Sequence, residues 1–394
     1  MPPEVPLRAP PTEPDLEPLP LRRLGDYELI KRVARGGMAD IYLAHRVGGG
    51  ERPVALKVLN PRRAKEAEAC QMFLDEARVV ALLDHHNIAA VLEVDVVDDQ
   101  YYLAMEFVHG VDLRELLACA VRKQVDVPYE TAVAIVVGAA TGLDHAHRRT
   151  GPDGRPLCVV HRDVSLSNIM IGHDGSVKVV DFGIAQTAIA TVHTSPGVVR
   201  GKASYMSPEQ CLGDPVDHRA DVFALGIVLY ELTTGARCFS GKSDFERMLA
   251  VVRGEWLPPS QLDARYPREL ELVVRRALAT DPAQRYASAS ELCVALEQLA
   301  IDQLWVLGAS SIARLARELF GEVPEPWAPI TYRAPPPRAP PRVTRTARGT
   351  EPPVLARGSE PDLLRACAWQ PAPTRMTSRR AVAAHSGARR AHPT

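Results

Sequence analysis

Residues 161–170 read HRDVSLSNIM. An imidazole, a guanidinium, a carboxylate and an amide stand together between two apolar pairs, Val159 with Val160 and Ile169 with Met170. Asp163 suits orienting a substrate hydroxyl and taking its proton late, and the amide oxygen of Asn168 suits ligating a metal ion. Further on, Asp181 lies between the apolar Val179-Val180 and Phe182-Gly183. A carboxylate so placed fits a hard divalent ion such as Mg2+, and a structural turn aspartate fits equally well. Lys57 sits inside the apolar run VALKVL. A charge buried there needs a partner, and Glu76 follows on a stretch with helical spacing. A lysine paired in this way grips phosphate oxygens; a strand-end lysine reaching solvent gives the same local pattern.

These residues need elements to hold them. Residues 27–58 alternate like strands around a Gly-rich turn, with a second turn at Gly48, Gly49 and Gly50. Residues 64–83 have helical spacing, with Phe73, Leu74, Ala77, Val80 and Ala81 on one side. Residues 88–108 read as two strands joined at Asp98 and Asp99. After His109 the chain reads as mostly helical, with helices expected over 112–122, 129–148, 220–234, 245–252, 269–279 and 288–299. A small β-rich lobe thus precedes a larger α-rich one, and ligands commonly bind in such a crevice. Residues 304–320 are amphipathic through Leu304, Leu307, Ile312, Leu315 and Leu319. That stretch packs back on the folded body or serves as a partner helix.

The flanks differ in composition. Residues 1–24 are Pro-rich, and disorder is expected there. From about residue 329 the chain is rich in Pro, Ala and Arg, with twelve Arg, no Lys and three acidic residues up to residue 394. The overall net charge of −1 therefore hides an acidic body and a basic tail. The tail reads as a solvated extension or as a docking segment for a partner. The overall balance carries no signal for nucleic acid or membrane. Seven scattered cysteines without a C-x-x-C pair fit reduced thiols. The first twenty residues lack the basic start and apolar core of a signal peptide. No run approaches the ~18 apolar residues of a membrane span. A cytoplasmic protein without a membrane anchor is expected.

Taken in order, ARGGMADIY, VALKVL, Glu76, HRDVSLSN, DFG, SPE and DVFALG resemble the eukaryotic-type Ser/Thr protein kinases of bacteria, over about residues 27–299. The resemblance implies an α+β bilobal fold, with a β-rich lobe over about 27–108 and an α-helical lobe over about 109–300. Residues 301–328 then form a helical extension. ATP and Mg2+ are the implied cofactors. Lys57 holds the α- and β-phosphates and pairs with Glu76, Asp163 is the catalytic base, and Asn168 and Asp181 bind Mg2+. Ala34, Gly36, Gly37 and Ala39 form the loop over the phosphates. Ile41, Ala55 and Met170 sandwich the adenine. The backbone from Glu106 to Val108 meets its edge, with Met105 guarding the pocket behind. Glu209 pairs with Arg285, and Asp221 holds the catalytic loop through its amides.

This sequence departs from the family at three places. The glycine pattern G-x-G-x-x-G becomes Ala34, Gly36 and Ala39, and Ala disfavours positive φ. Ser165 replaces the lysine usual two residues after the base, while Lys202 replaces the threonine of G-T-x-x-Y. An exchange is expected, in which Lys202 supplies the ammonium near Asp163 and Ser165 or Ser204 supplies the hydroxyl. Arg162 implies control by phosphorylation of the activation segment. Thr187, Thr191, Thr194 and Ser195 are candidates there, with Thr194 and Ser195 at the expected distance before Gly201. The expected activity is phosphorylation of Ser/Thr hydroxyls on proteins, including this segment. The alternative is a pseudokinase that binds nucleotide as a scaffold. Tyrosine kinases also lack the loop lysine, but they usually carry an arginine nearby, absent after Asp163 here.

Overall fold

A computed structural model describes residues 22–48, 52–61, 63–151, 153–182 and 202–324. The small lobe is one six-stranded sheet in the order β1-β2-β3-β4-β6-β5. Its strands are β1 (Arg22–Leu24), β2 (Tyr27–Arg35), β3 (Ala39–Arg46), β4 (Pro53–Leu59), β5 (Val91–Val97) and β6 (Gln100–Glu106). All neighbours are antiparallel. The two-residue period sends Leu56 and Val58 into one core with Tyr27, Ala44, Val54 and Tyr102. Lys57 and Ala55 therefore face the other way, and cross-strand pairing adds Ile41 and Ala34 to their side. The Asp98-Asp99 turn has φ of 50° and 61°, the left-handed pair that suits a tight hairpin and that aspartate tolerates.

Helix α1 (Ala67–Val80) lies against this sheet with Cys70, Phe73 and Ala77 buried and Glu76 beside them. The large lobe is built on α2 (Leu113–Lys123), α3 (Tyr129–His147), α4 (Pro208–Leu212) and α5 (Arg219–Thr234). It continues through α6 (Asp244–Arg253), α7 (Pro259–Leu262), α8 (Arg268–Ala277), α9 (Ala289–Asp302) and α10 (Ala309–Phe320). Helices α3 and α5 are apolar on nearly every side because they form the centre of that lobe.

Three expectations need correction. The chain after His109 also contains a three-stranded sheet of β7 (Gly110–Asp112), β8 (Ile169–Gly172) and β9 (Val177–Val179). Strands of three or four residues are too short to display a period. Residues 22–24, expected within the Pro-rich segment, pair with Tyr27, Glu28 and Leu29. The amphipathic helix begins at Ala309, not at Leu304. Leu304 instead terminates α9 with φ of 58° and is 89% exposed. Its neighbour Trp305 donates its backbone N–H back to Ala300, which closes the helix end.

Candidate active site

Between the lobes, the Lys57 ammonium donates to Glu76 Oε1 and Asp181 Oδ1, both at 3.0 Å. Strand β4 aims the lysine, α1 brings Glu76, and the segment after β9 brings Asp181. Burial by itself lowers the pKa of Lys57, but the carboxylates of Asp181 and Glu76 overturn that and hold it above its ordinary value. Removing one partner of so buried an ion pair costs about 3–5 kcal/mol.

The loop over this cleft links β2 to β3. Gly36 donates its N–H to Ala39 O at 3.0 Å. A side chain at Gly36 would bring its Cβ within 2.6 Å of that same oxygen, so glycine is required for the close approach. Ala34 and Ala39 lie in extended strand, without positive φ. Glycine's conformational freedom is not needed at either position. Asn60 tethers the turn by donating its side-chain amide to the oxygens of Gly36 (2.9 Å) and Gly37 (3.2 Å).

Deeper in the cleft, Met105 packs toward Phe73 and Leu103. Val108 is buried, and Met170 is half-buried on β8, where it is in register with Asp112 and Lys178. The Glu106 carboxylate turns away to the back of the hinge. Its Oε2 accepts from Lys178 Nζ at 2.9 Å and from the Ala90 N–H at 3.2 Å.

The loop of residues 161–168 is anchored from beneath. Asp221, at the start of α5, accepts the backbone N–H of His161 and of Arg162, both at 2.8 Å. His147 Nε2 lies 2.7 Å from its Oδ2. Burial would raise the pKa of Asp221, but the hydrogen bond and charge of His147, aided by His161, hold it below the usual carboxylate value. His161 is fully buried and packs 4.6 Å from Phe182, centroid to centroid. Gln210 holds the Arg162 carbonyl at 2.9 Å. Asn168 donates to the backbone oxygen and to Oδ2 of Asp163. Arg162 and Asp181 have φ of 65° and 53°. For non-glycine residues this costs about 1–3 kcal/mol each, a strain that clusters at functional sites.

Below the loop, Arg285 meets Glu209 through two parallel bonds of 2.7 Å and is 2% exposed. Ser165 is buried in extended backbone. Ser204 is also buried, and its hydroxyl has no hydrogen-bond partner among the described residues. The backbone of Lys202 opens a short helical turn through Tyr205. Its side chain lies outside the described residues, as do Thr187, Thr191, Thr194 and Ser195. Sequence reasoning did not single out Asn60, His147, Lys178 or Gln210. Their partners are 24, 74, 72 and 48 residues away, and no local pattern marks them.

A bilobal fold with this lysine, carboxylate and amide set defines the protein kinases. The protein kinase domain family matches residues 27–295, and the chain belongs to that family. Among relatives, MasK of Myxococcus xanthus, a tyrosine-protein kinase by name, is 42% identical over 315 residues, spanning 79% of this chain and 49% of that protein. The serine/threonine-protein kinase PrkC of Bacillus subtilis is 34% identical over 268 residues, spanning 68% of this chain and 39% of PrkC. The crystal structure of a cysteine-to-alanine mutant of the Mycobacterium tuberculosis PknI kinase domain superposes with a TM-score of 0.53 at 30% identity, covering 70% of this chain and 96% of that domain. These relatives set the chain among the eukaryotic-type kinases of bacteria. It spans half or less of the length of the curated relatives it matches. Among the described residues, no helix is long and apolar enough to cross a membrane.

Proposed function

We propose that the chain is an active, ATP- and Mg2+-dependent protein kinase that phosphorylates Ser/Thr hydroxyls of proteins in the cytoplasm. One observation carries this reading. Lys57 bonds both Glu76 and Asp181 at 3.0 Å, so the phosphate-gripping cation is already aimed across the cleft. The metal requirement also fits. Among the described residues there is no cluster of three or more His, Cys, Asp or Glu side chains that could hold a metal. Mg2+ needs no such cage, since it binds through one or two carboxylates together with substrate phosphates. The Asn168 amide oxygen and the Asp181 carboxylate are hard donors of the right kind. Mg2+ bound there would neutralise phosphate charge.

The protein's own contribution is positioning. Lys57 grips the α- and β-phosphate oxygens. Ile41, Ala55 and Met170 enclose the adenine, and the backbone from Glu106 to Val108 meets its edge. Asp163 orients the acceptor hydroxyl and takes its proton late in the transfer, and Asn168 locks its rotamer. The transferred phosphoryl is loosely bonded at the transition state, so in-line geometry matters more than a strong base. For the missing loop cation, Lys202 supplies the ammonium beside Asp163, and Ser165 or Ser204 supplies the hydroxyl. Arg162 pairs with a phosphorylated residue of the activation segment, with Thr194 and Ser195 the candidates.

The test is phosphotransfer from ATP by the parent protein, with Asp163→Asn as control and phosphosites mapped on both. Phosphoserine or phosphothreonine made by the parent alone is the expected result. No transfer, with nucleotide still bound, would establish the scaffold reading instead. A second reading, tyrosine acceptors, is favoured by the name of MasK and by Ser165 in place of lysine. Phosphoamino-acid analysis of the same reaction separates the two.

A further inference from the structure

Helix α10 lies outside the family match, which ends at residue 295. It is nevertheless built into the large lobe. Ile312, Leu315, Ala316 and Leu319 are each no more than 3% exposed against α2 and α3. That apolar burial holds the helix in place.

Its two ends touch elements that reach the nucleotide cleft. At the C-terminal end, Leu319 O accepts Lys123 Nζ at 2.7 Å. A cation at that end also complements the helix dipole. Lys123 ends α2, and the N-cap of α2 is Asp112, paired in register with Met170. At the N-terminal end, Ala309 lies on the turn between β8 and β9. Gly175 in that turn has φ of +86°, and a Cβ on it would fall 1.9 Å from Ala309 O. Glycine there satisfies the turn and admits the helix at once. The same turn reaches the hinge, because His173 donates its N–H to His109 O at 3.0 Å. His109 directly follows Val108.

We infer that α10 is a strap that positions the floor of the nucleotide cleft, so that freeing it weakens nucleotide binding. The helix braces the β8–β9 hairpin from outside, and that hairpin carries Met170 and leads into Asp181. It braces α2 at the same time. The idea rests on the proposed nucleotide reading of the cleft.

The test uses the full chain as parent, Leu315→Asp and Lys123→Met. Binding of ADP with Mg2+ is measured by calorimetry, and amide exchange is followed over residues 169–179 and 309–320. Both variants are expected to exchange faster in the helix and in the hairpin, and to bind ADP about tenfold more weakly. A parent that binds no ADP overturns the nucleotide reading, and the strap with it. A parent that binds, beside a variant whose freed helix leaves affinity and hairpin exchange unchanged, overturns the strap alone. Should Leu315→Asp fail to fold, Leu315→Ala takes its place in the same comparison.

Discussion

Asn168 donates its side-chain amide to Asp163 twice, to the backbone oxygen at 2.8 Å and to Oδ2 at 2.9 Å. Each residue therefore fixes the other. Asn168→Ala releases the carboxylate as well as removing the amide oxygen. Turnover in a phosphotransfer assay is expected to fall about 10²–10⁴-fold. The melting temperature should stay close to the parent's. Turnover equal to the parent's would remove Asn168 from the active site.

Arg285 is the buried brace of the large lobe. Besides Glu209, it donates to the oxygens of Ala279, Thr280 and Arg219. Arg285→Met strands the Glu209 carboxylate in the interior. Urea unfolding should show a loss of about 3–5 kcal/mol. Adding Glu209→Met should recover part of that loss, because no charge is then left unpaired.

Lys202 separates two accounts of Ser165. If it supplies the cation missing from the loop, Lys202→Ala and Lys202→Met both lose phosphotransfer while still binding ADP. If both turn over like the parent, the exchange between the two positions is refuted and Ser165 is a tolerated loss.

Three histidines cluster together, with His85 stacked on His145 and tilted against His86. His85 lies 4.3 Å from His86 and 5.0 Å from His145, centroid to centroid. Burial is the first cause that holds the pKa of both His85 and His145 below the ordinary value. Positive neighbours add to it: His86, His145 and Lys178 around His85, and Arg149 and Arg148 around His145. Asp84 opposes the shift at both, and Asp144 opposes it at His145. From about 6.5 down to the depressed values, the unfolded chain binds more protons than the folded one. Stability therefore rises with pH through that window and falls as the medium is acidified through it. Melting curves from about pH 7 to about pH 5 should show the drop. The double variant His85→Gln with His145→Gln should flatten it, and an equal slope in both proteins would contradict the assignment.

The candidate site residues were legible where their type stands out against the surrounding sequence. Lys57 stood out as a charge inside an apolar strand, and Asp163 and Asn168 as polar groups in a loop between apolar pairs. Alternation in β4 and helical spacing in α1 located the small lobe for the same reason, since burial imposes a period. The three short strands β7, β8 and β9 carry too few residues to show one. Leu304 was drawn into the wrong helix because its apolarity matched the pattern, whereas its left-handed backbone ends α9. Ala34 and Ala39 looked like defects when set against a glycine motif. Their extended backbone removes that objection.

By itself, the sequence determined which groups are available for chemistry and the order in which they occur. Each is an intrinsic property of a side chain or of its near neighbours. Tertiary structure alone decided that Lys57 meets Asp181, 124 residues away, that Asp221 holds the amides of His161 and Arg162, and that α10 lies on Gly175. Those relations depend on which surfaces are buried together. Burial is settled by the packing of the whole chain, and no short segment encodes it.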